Sequence, residues 1–169
     1  FDNLLGPPRT DITVAYLSAF HRAYHGELYQ TTPPAHPVTG SPMMDGFDAL
    51  DPEEIRARYG LDDRPVWLLF TLKFPTGGRE VAYREIVEGY VQAAHRQGAQ
   101  VVAKSRPKCG DPAWLPALVN RYVSDVSMHP FTSLELLRVA VQCLHWDSGA
   151  GLEAGYAGVP TLCVAIPHP

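Results

Sequence analysis

A run of small residues near the end of the chain has the composition of an anion-binding turn, and it stands between a strand-like and a helix-like segment. It reads Asp147-Ser148-Gly149-Ala150-Gly151. Small residues let a ligand approach the backbone closely, and free N–H groups at a helix start favour an anion such as phosphate. Ser148 adds a hydroxyl donor, and Glu153 follows where it would accept hydrogen bonds from two ribose hydroxyls. The same composition also fits a tight strand-to-helix turn that binds nothing.

Further candidate side chains follow predicted strands, and ligands of open α/β sheets bind beyond the carboxyl ends of the strands. Lys73 would meet a phosphate there, although an isolated lysine is more often a solvated loop residue. The cationic segment 104–108 (KSRPK) suits an anionic donor or acceptor, with a charged loop as the alternative. His129 and Phe131 would form a wall for a nucleobase, unless Phe131 packs in the core. His145 would donate to a phosphate or sugar, whereas a buried, satisfied histidine is the more frequent case.

The chain alternates apolar strand-like runs with segments of helical periodicity, the pattern of a parallel sheet with helices on both faces. Asp51 is the predicted N-cap of a helix that starts at Pro52 and is closed by Gly60. We predict further helices over residues 18–28, 80–97, 111–121, 132–140 and 152–157, and strands over residues 11–17, 66–72, 100–103, 126–128, 141–145 and 161–166. With right-handed crossovers, these elements form an α/β, Rossmann-like doubly wound parallel sheet.

Composition and charge exclude several classes of protein. The 169 residues are 46% hydrophobic and 19% charged, which is typical of a globular protein with one core. The net charge is −4 and the basic residues do not cluster, so we expect no nucleic-acid partner. No apolar run reaches the roughly 18 residues that cross a bilayer, so we expect no membrane span. The first residues do not resemble a signal peptide.

The cysteines and histidines do not have the spacing of metal ligands. Cys109, Cys143 and Cys163 are widely separated and form no C-x-x-C pair, so a zinc site is unsupported. Cys143 and Cys163 lie in apolar runs and are predicted to be small core residues. We therefore expect no bound metal and a reduced, cytoplasmic setting.

Four segments, taken in order, resemble the C-terminal domain of enzymes with the GT-B fold. They are a turn over 38–45 (VTGSPMMD), a basic residue after the first buried strand at 71–73 (TLK), a base-facing loop and helix over 129–137, and a signature over 147–160 (DSGAGLEAGYAGVP). This family includes nucleotide-sugar glycosyltransferases, non-hydrolysing UDP-N-acetylglucosamine 2-epimerases and the glycerophosphotransferases of wall-polymer synthesis. The resemblance implies that Lys73 and the small residues of the signature hold a diphosphate, and that Glu153 holds the ribose.

Departures from the family's pattern favour a glycosyltransferase over an epimerase. Ala150 replaces the second glycine of the epimerase signature, Ala154 replaces its second glutamate, and Lys73 stands where epimerases have His-Arg. The resemblance implies a nucleotide-diphosphate sugar as the donor, an unidentified acceptor and no cofactor. The sequence has no D-x-D motif, which agrees with metal-independent chemistry. An epimerase, a glycerophosphotransferase and a nucleotide-binding module without catalysis stay as alternatives, and the oligomeric state, a homo-oligomer included, stays open.

The proline-dense segment 31–37 predicts a domain boundary, because proline fixes φ and removes an N–H donor, which favours an extended linker. Residues 1–35 would be the tail of an N-terminal Rossmann-like domain with its linker, and residues 36–169 the C-terminal nucleotide-sugar-binding domain. The chain starts without Met and stops directly after a strand-like run. We therefore expect a fragment or one module of a longer protein, with the catalytic base in N-terminal sequence that is not part of this chain.

Overall fold

The structure is a computed structural model, and it describes residues 22–23, 27, 38–72, 78–105, 110–124, 132–146 and 149–166. The chain divides into two compact units, residues 1–45 and 46–169. In the first unit, Arg22, Ala23 and Glu27 are helical, as predicted, and a 3₁₀ turn spans Pro42–Met44. The predicted strand over 11–17 and the predicted boundary after residue 35 lie outside the described residues.

The second unit alternates helices and strands along its described residues. The helices are α1 Pro52–Tyr59, α2 Glu80–Arg96, α3 Leu115–Leu118, α4 Thr132–Val139 and α5 Ala150–Tyr156, and a 3₁₀ turn spans Phe47–Ala49. The strands are β1 Val66–Phe70, β2 Gln100–Lys104, β3 Arg121–Val123, β4 Ala140–His145 and β5 Thr161–Cys163. They form one parallel sheet in the order β3-β2-β1-β4-β5. This order confirms the predicted α/β, Rossmann-like doubly wound fold.

Helices cover both faces of the sheet, and the central strands are buried on both sides. Every residue of β1 and of β2 is buried. Successive side chains of a strand point to opposite faces, so Leu68 and Phe70 pack in one core cluster and Leu69 in another. The first cluster joins the sheet to α1, α4 and α5, and the second joins it to α2 and α3. Burial of each leucine stabilises the fold by about 1.5–3 kcal/mol.

The predicted signals at the ends of α1 are confirmed. The Asp51 carboxylate accepts a hydrogen bond from the Glu53 N–H at 2.9 Å, and Pro52 occupies the first helical position. An N-cap of this kind satisfies a helix donor that would otherwise have no partner. Gly60 ends the helix with a φ of 65°, a left-handed conformation that costs glycine little.

The bounds of the predicted helix over 111–121 are wrong. The helix here is only α3, Leu115–Leu118, and Arg121 already begins β3. The cause is tertiary: the Asn120 carboxamide accepts from the Val101 N–H at 2.7 Å, and Tyr122 then pairs with Ala103 of β2. Pairing with a buried neighbour strand overrides the helical pattern. The predicted strand over 126–128 lies outside the described residues.

The edge strand β5 is less buried than the sequence indicates. Its residues are exposed, and Cys163 is an exposed free cysteine, so the prediction that Cys163 is a core residue is wrong. β5 pairs with β4 along one edge only, whereas β4 has neighbours on both sides. Cys143, on β4, is buried as predicted, and burial raises the pKa of its thiol to about 11. The strand also ends at Cys163 rather than at the predicted Ile166.

Within the described residues, none of the helices combines the length and the apolar character needed to cross a membrane.

Candidate functional site

The strand order creates a crevice at the carboxyl ends of β1 and β4. From β1 the chain continues through α2 to β2 on one side, whereas from β4 it continues through α5 to β5 on the other side. The two connections cross opposite faces of the sheet, because α2 and α5 belong to different core clusters. Ligands of open α/β sheets bind at such a switch point. This edge is therefore the candidate site.

Glu153, on α5, supplies a partly buried carboxylate to this site. Its Oε2 atom is buried, and no hydrogen-bond partner for it lies among the described residues. Burial raises the pKa of the Glu153 carboxyl above its ordinary value, and the charge of Lys104 opposes that shift. A buried acceptor without a partner is costly, and such groups are common where a ligand binds. The predicted role of Glu153 as a hydroxyl acceptor is compatible with this environment.

Lys104, the last residue of β2, supplies a positive charge to the same edge. Only 8% of the residue is exposed. In the sheet register it lies beside Phe70 of β1, and its Nζ atom is 6.0 Å from the centre of the Phe70 ring. The charge of Lys104 lowers the pKa of Glu153, and the strands that precede these two residues, β2 and β4, are the two neighbours of β1.

The first turn of α5 is built differently from the prediction. The helix begins at Ala150 rather than at Leu152, so Gly151 lies inside the helix and Gly149 immediately precedes it. The N–H groups of a first turn have no acceptor within their own helix, so the donation of hydrogen bonds to a phosphate by Ala150 and Gly151 stays a prediction. A methyl group on Gly149 would meet no atom within 4 Å, which leaves open space beside the backbone.

Gly151 has a packing partner that explains why it lacks a side chain. A Cβ atom on Gly151 would lie 2.5 Å from Nε2 and 3.0 Å from Nδ1 of His145, and closer still to Cε1. His145 ends β4 and is buried. The imidazole therefore occupies the space that a side chain at 151 would need. The absence of a side chain there serves packing, which does not by itself require a ligand.

Several predicted site residues lie outside the described residues: Asp147, Ser148, Lys73, His129 and Phe131. The described part of the prediction, Gly149 to Glu153, is continuous in the chain and lies at the switch point. The sequence analysis did not single out Lys104 as an individual site residue, because it treated the cationic segment 104–108 as a whole. A signal was present, because Lys104 directly continues the apolar run Val101-Val102-Ala103 and therefore had to be partly buried.

A second buried charged group, Glu135 on α4, belongs to the packing of helices. Its carboxylate accepts hydrogen bonds from the Tyr59 hydroxyl, at 2.6 Å, and from the Arg58 guanidinium. Burial, together with the nearby Glu135 carboxylate, raises the pKa of Tyr59 to about 12. Arg58 and Tyr59 end α1, so this network joins α1 to α4. A buried carboxylate that is paired in this way is explained by structure alone.

Metal binding finds no support in the described part of the chain. Among those residues, no three His, Cys, Asp or Glu side chains lie together in an arrangement that could hold a metal ion.

No protein-family model matches the chain, and no curated protein matches it. Solved structures that resemble it include two glycosyltransferases. WaaG, a glycosyltransferase involved in lipopolysaccharide biosynthesis, is 22% identical with a TM-score of 0.44, and the match covers 88% of this chain and 43% of that one. KpsC of Thermosulfurimonas dismutans, a beta Kdo 2,4 transferase, is 13% identical with a TM-score of 0.40, covering 73% of this chain and 45% of that one.

The chain thus spans less than half of the length of either structure. Both of those proteins are glycosyltransferases.

Proposed function

We propose that this chain binds the nucleotide-diphosphate sugar donor of a GT-B-type glycosyltransferase at the carboxyl ends of β1 and β4. The observation that carries the proposal is the pair of charged groups at that edge. Glu153 has a buried carboxylate oxygen without a partner among the described residues, and the charge of the buried Lys104 acts on it. A ligand hydroxyl group would give the Glu153 oxygen a partner, and an anionic group of the same ligand would fit the positive charge of Lys104.

The sugar and phosphate parts of a nucleotide fit these groups by their chemistry. A carboxylate only accepts hydrogen bonds when ionised, and its two oxygens match the two hydroxyls of a ribose. The diphosphate would then lie towards the first turn of α5, where the N–H groups of Ala150 and Gly151 point out of the helix. Lys73, Ser148, His129 and Phe131 remain proposed ligands, the last two for the nucleobase.

The mechanism follows from where charge develops. An acceptor hydroxyl attacks the anomeric carbon, the bond from that carbon to the phosphate oxygen breaks, and the electron pair of that bond stays on the diphosphate. Positive charge and N–H donors placed at the diphosphate stabilise this growing negative charge and so lower the barrier. The proton of the acceptor hydroxyl goes to a general base. A side-chain cation supplies the positive charge in this scheme, and no metal is invoked.

Calorimetric titration with UDP, GDP, CDP and TDP tests donor binding. We expect one of the four to bind, and Glu153→Gln to weaken that binding about ten-fold or more, since hydrogen bonds to a charged acceptor contribute about 1.5–3 kcal/mol. Glu85→Gln, the same substitution at an exposed position of α2, is the control and should bind like the wild type. Absence of binding by all four at millimolar concentration, with Glu153→Gln indistinguishable from wild type, would overturn the proposal.

Other members of the GT-B group share this donor chemistry. An epimerase or a glycerophosphotransferase would bind a nucleotide at the same edge, and a module without catalysis would bind it without turnover. Product analysis of the protein with the nucleotide sugar that binds separates these alternatives. Transfer of the sugar to an added acceptor supports the glycosyltransferase, whereas a change in the sugar's own configuration supports the epimerase.

A further inference from the structure

Trp146 is the first residue after β4, and its side chain packs on the face of the sheet opposite to α5. It belongs to the core cluster that joins the sheet to α2 and α3, whereas Ala154 of α5 belongs to the other cluster. Only three residues, 147–149, separate Trp146 from the start of α5. A connection this short has little reach, so the position of Trp146 limits where α5 can begin.

The indole of Trp146 is held by an aromatic contact with α2. Its ring centroid lies 5.1 Å from that of Tyr83, and the two ring planes are 73° apart, an edge-to-face arrangement that aromatic pairs favour. Trp146 is 3% exposed, and Tyr83 is fully buried. The indole Nε1 atom has no hydrogen-bond partner among the described residues, so within this part of the chain ring packing orients the indole.

Tyr83 is itself fixed from two directions. Its backbone N–H donates to the Arg79 carbonyl at 2.9 Å at the start of α2, and its ring centroid lies 5.7 Å from that of Trp114, which directly precedes α3. The Arg84 guanidinium lies over the Trp114 ring, 5.5 Å from its centre. The aromatic cluster of Tyr83, Trp114 and Trp146 thus joins α2 and α3 to the end of β4.

The residue before Trp146 is held on the opposite face of the sheet. The His145 carbonyl accepts from the Val164 N–H at 3.0 Å, and the His145 imidazole packs against Gly151 in the first turn of α5. Successive side chains along a strand point to opposite faces, so His145 faces α5 and Trp146 faces α2. The end of β4 is therefore held between the two helical layers, at the point where the chain turns towards Glu153.

We propose that Trp146 is a positioning residue of the donor site: its contact with Tyr83 fixes the start of the connection from β4 to α5 and thereby the place of Glu153. This inference rests on the proposed function and adds to it a residue that does not touch the ligand. A leucine at position 146 would lose the edge-to-face contact, and the connection could then take several positions. Affinity falls in that case, because binding must also order the connection.

Trp146→Leu tests this role, with Trp67→Leu as the matched control. Trp67 is also a buried tryptophan of the same core cluster, and its ring centroid lies 5.1 Å from that of Tyr90, but it lies near the start of β1. Both variants should lose stability. Titration of the folded variants with the best-binding of UDP, GDP, CDP and TDP should show a weakening of about ten-fold or more for Trp146→Leu and less than about two-fold for Trp67→Leu. Trp146→Phe, which keeps a ring beside Tyr83, should bind within about three-fold of the wild type.

Hydrogen exchange of amides in α5 measures the same role without a ligand. The N–H groups of Leu152 and Glu153 donate to the carbonyl of Gly149, the last residue of the connection, at 3.0 and 3.2 Å. In Trp146→Leu the connection opens more often, so these two amides should exchange about ten-fold faster than in the wild type. In Trp67→Leu their exchange should stay within about two-fold of the wild type.

The outcomes separate this inference from the proposed function. If Trp146→Leu matches Trp67→Leu in both nucleotide affinity and amide exchange, the positioning role is overturned even though nucleotides bind. The expected exchange pattern in a chain that binds none of the four nucleotides supports the placement of α5 by Trp146 and overturns the donor proposal.

A measurement on the wild-type sequence covers the case in which Trp146→Leu does not fold. The chain has three tryptophans, so labelling with 5-fluorotryptophan gives three fluorine NMR signals, which Trp67→Phe and Trp146→Phe assign. Saturation with the nucleotide should shift the Trp146 signal and leave the Trp67 signal in place. A Trp146 signal that nucleotide binding does not move contradicts the positioning role.

Discussion

Replacement of Gly151 by alanine is expected to destabilise the chain, because the new methyl group meets the imidazole of His145. The Cβ atom would lie 2.5 Å from Nε2. Carbon atoms in van der Waals contact are about 3.5–4.0 Å apart, so the ring or the helix must move by roughly 1 Å. His145 is 7% exposed and ends a paired strand, which leaves little room for that movement.

The size of the effect follows from two opposing contributions. Forcing an extra methyl group into a packed site costs about 1–3 kcal/mol. Alanine in place of glycine within a helix contributes about 0.5–1 kcal/mol in the favourable direction. Gly155→Ala, in the same helix, has the second contribution alone, since a Cβ at Gly155 meets no atom within 4 Å. Gly151→Ala should therefore be less stable than Gly155→Ala by about 1–3 kcal/mol, the steric cost alone.

Urea unfolding of the two variants, monitored by circular dichroism, measures this difference. The same comparison in a His145→Ala background shows whether the imidazole is the cause, because the steric cost should then disappear. The reasoning fails if Gly151→Ala is as stable as Gly155→Ala. It also fails if the cost of Gly151→Ala persists after His145 is truncated.

Two further predictions concern buried acidic groups. Burial raises the pKa of Glu153, so the folded chain retains a proton that the unfolded chain releases, and stability falls as the pH rises through the folded-state pKa. The glutamine of Glu153→Gln cannot ionise, so this variant should unfold at a higher temperature than wild type at neutral pH. The difference in unfolding temperature should vanish below the ordinary carboxyl pKa, and a difference that is independent of pH would contradict this. Tyr59→Phe removes a hydroxyl donor to the buried Glu135 and should cost about 1.5–3 kcal/mol in urea unfolding, and a cost near zero would show that Glu135 does not need it.

The elements with strong local signals are those that the sequence predicts best. The run that begins at Val66 is apolar throughout and forms a strand buried on both faces, and the periodic segment from Glu80 forms the longest helix among the described residues. Asp51 and Gly60 mark the ends of α1 by side-chain and backbone properties that are local. The helix prediction for the segment before Arg121 was wrong, because β3 forms by pairing with β2. A local sequence pattern contains no information about that partner strand.

The residues of the candidate site also differ in whether local sequence was enough to predict them. Glu153 was found from its spacing to the small residues, which is local information. Lys104 could be placed at the site only from the sheet register, because the pairing of β2 with β1 brings it to the edge beside Phe70. The reason why position 151 is a glycine becomes clear only from the position of His145, which ends β4. Sequence motifs thus located the turn, and tertiary structure separated the glycine that leaves open space, Gly149, from the glycine that packs against a side chain.

A crystal structure of the chain soaked with the best-binding nucleoside diphosphate tests the site most directly. We expect the ligand at the carboxyl ends of β1 and β4, with a ribose hydroxyl on the Glu153 carboxylate and a phosphate oxygen within hydrogen-bond distance of Lys104 Nζ. A ligand bound at another edge of the sheet, or at this edge with both Glu153 and Lys104 out of contact, would contradict the proposed donor site.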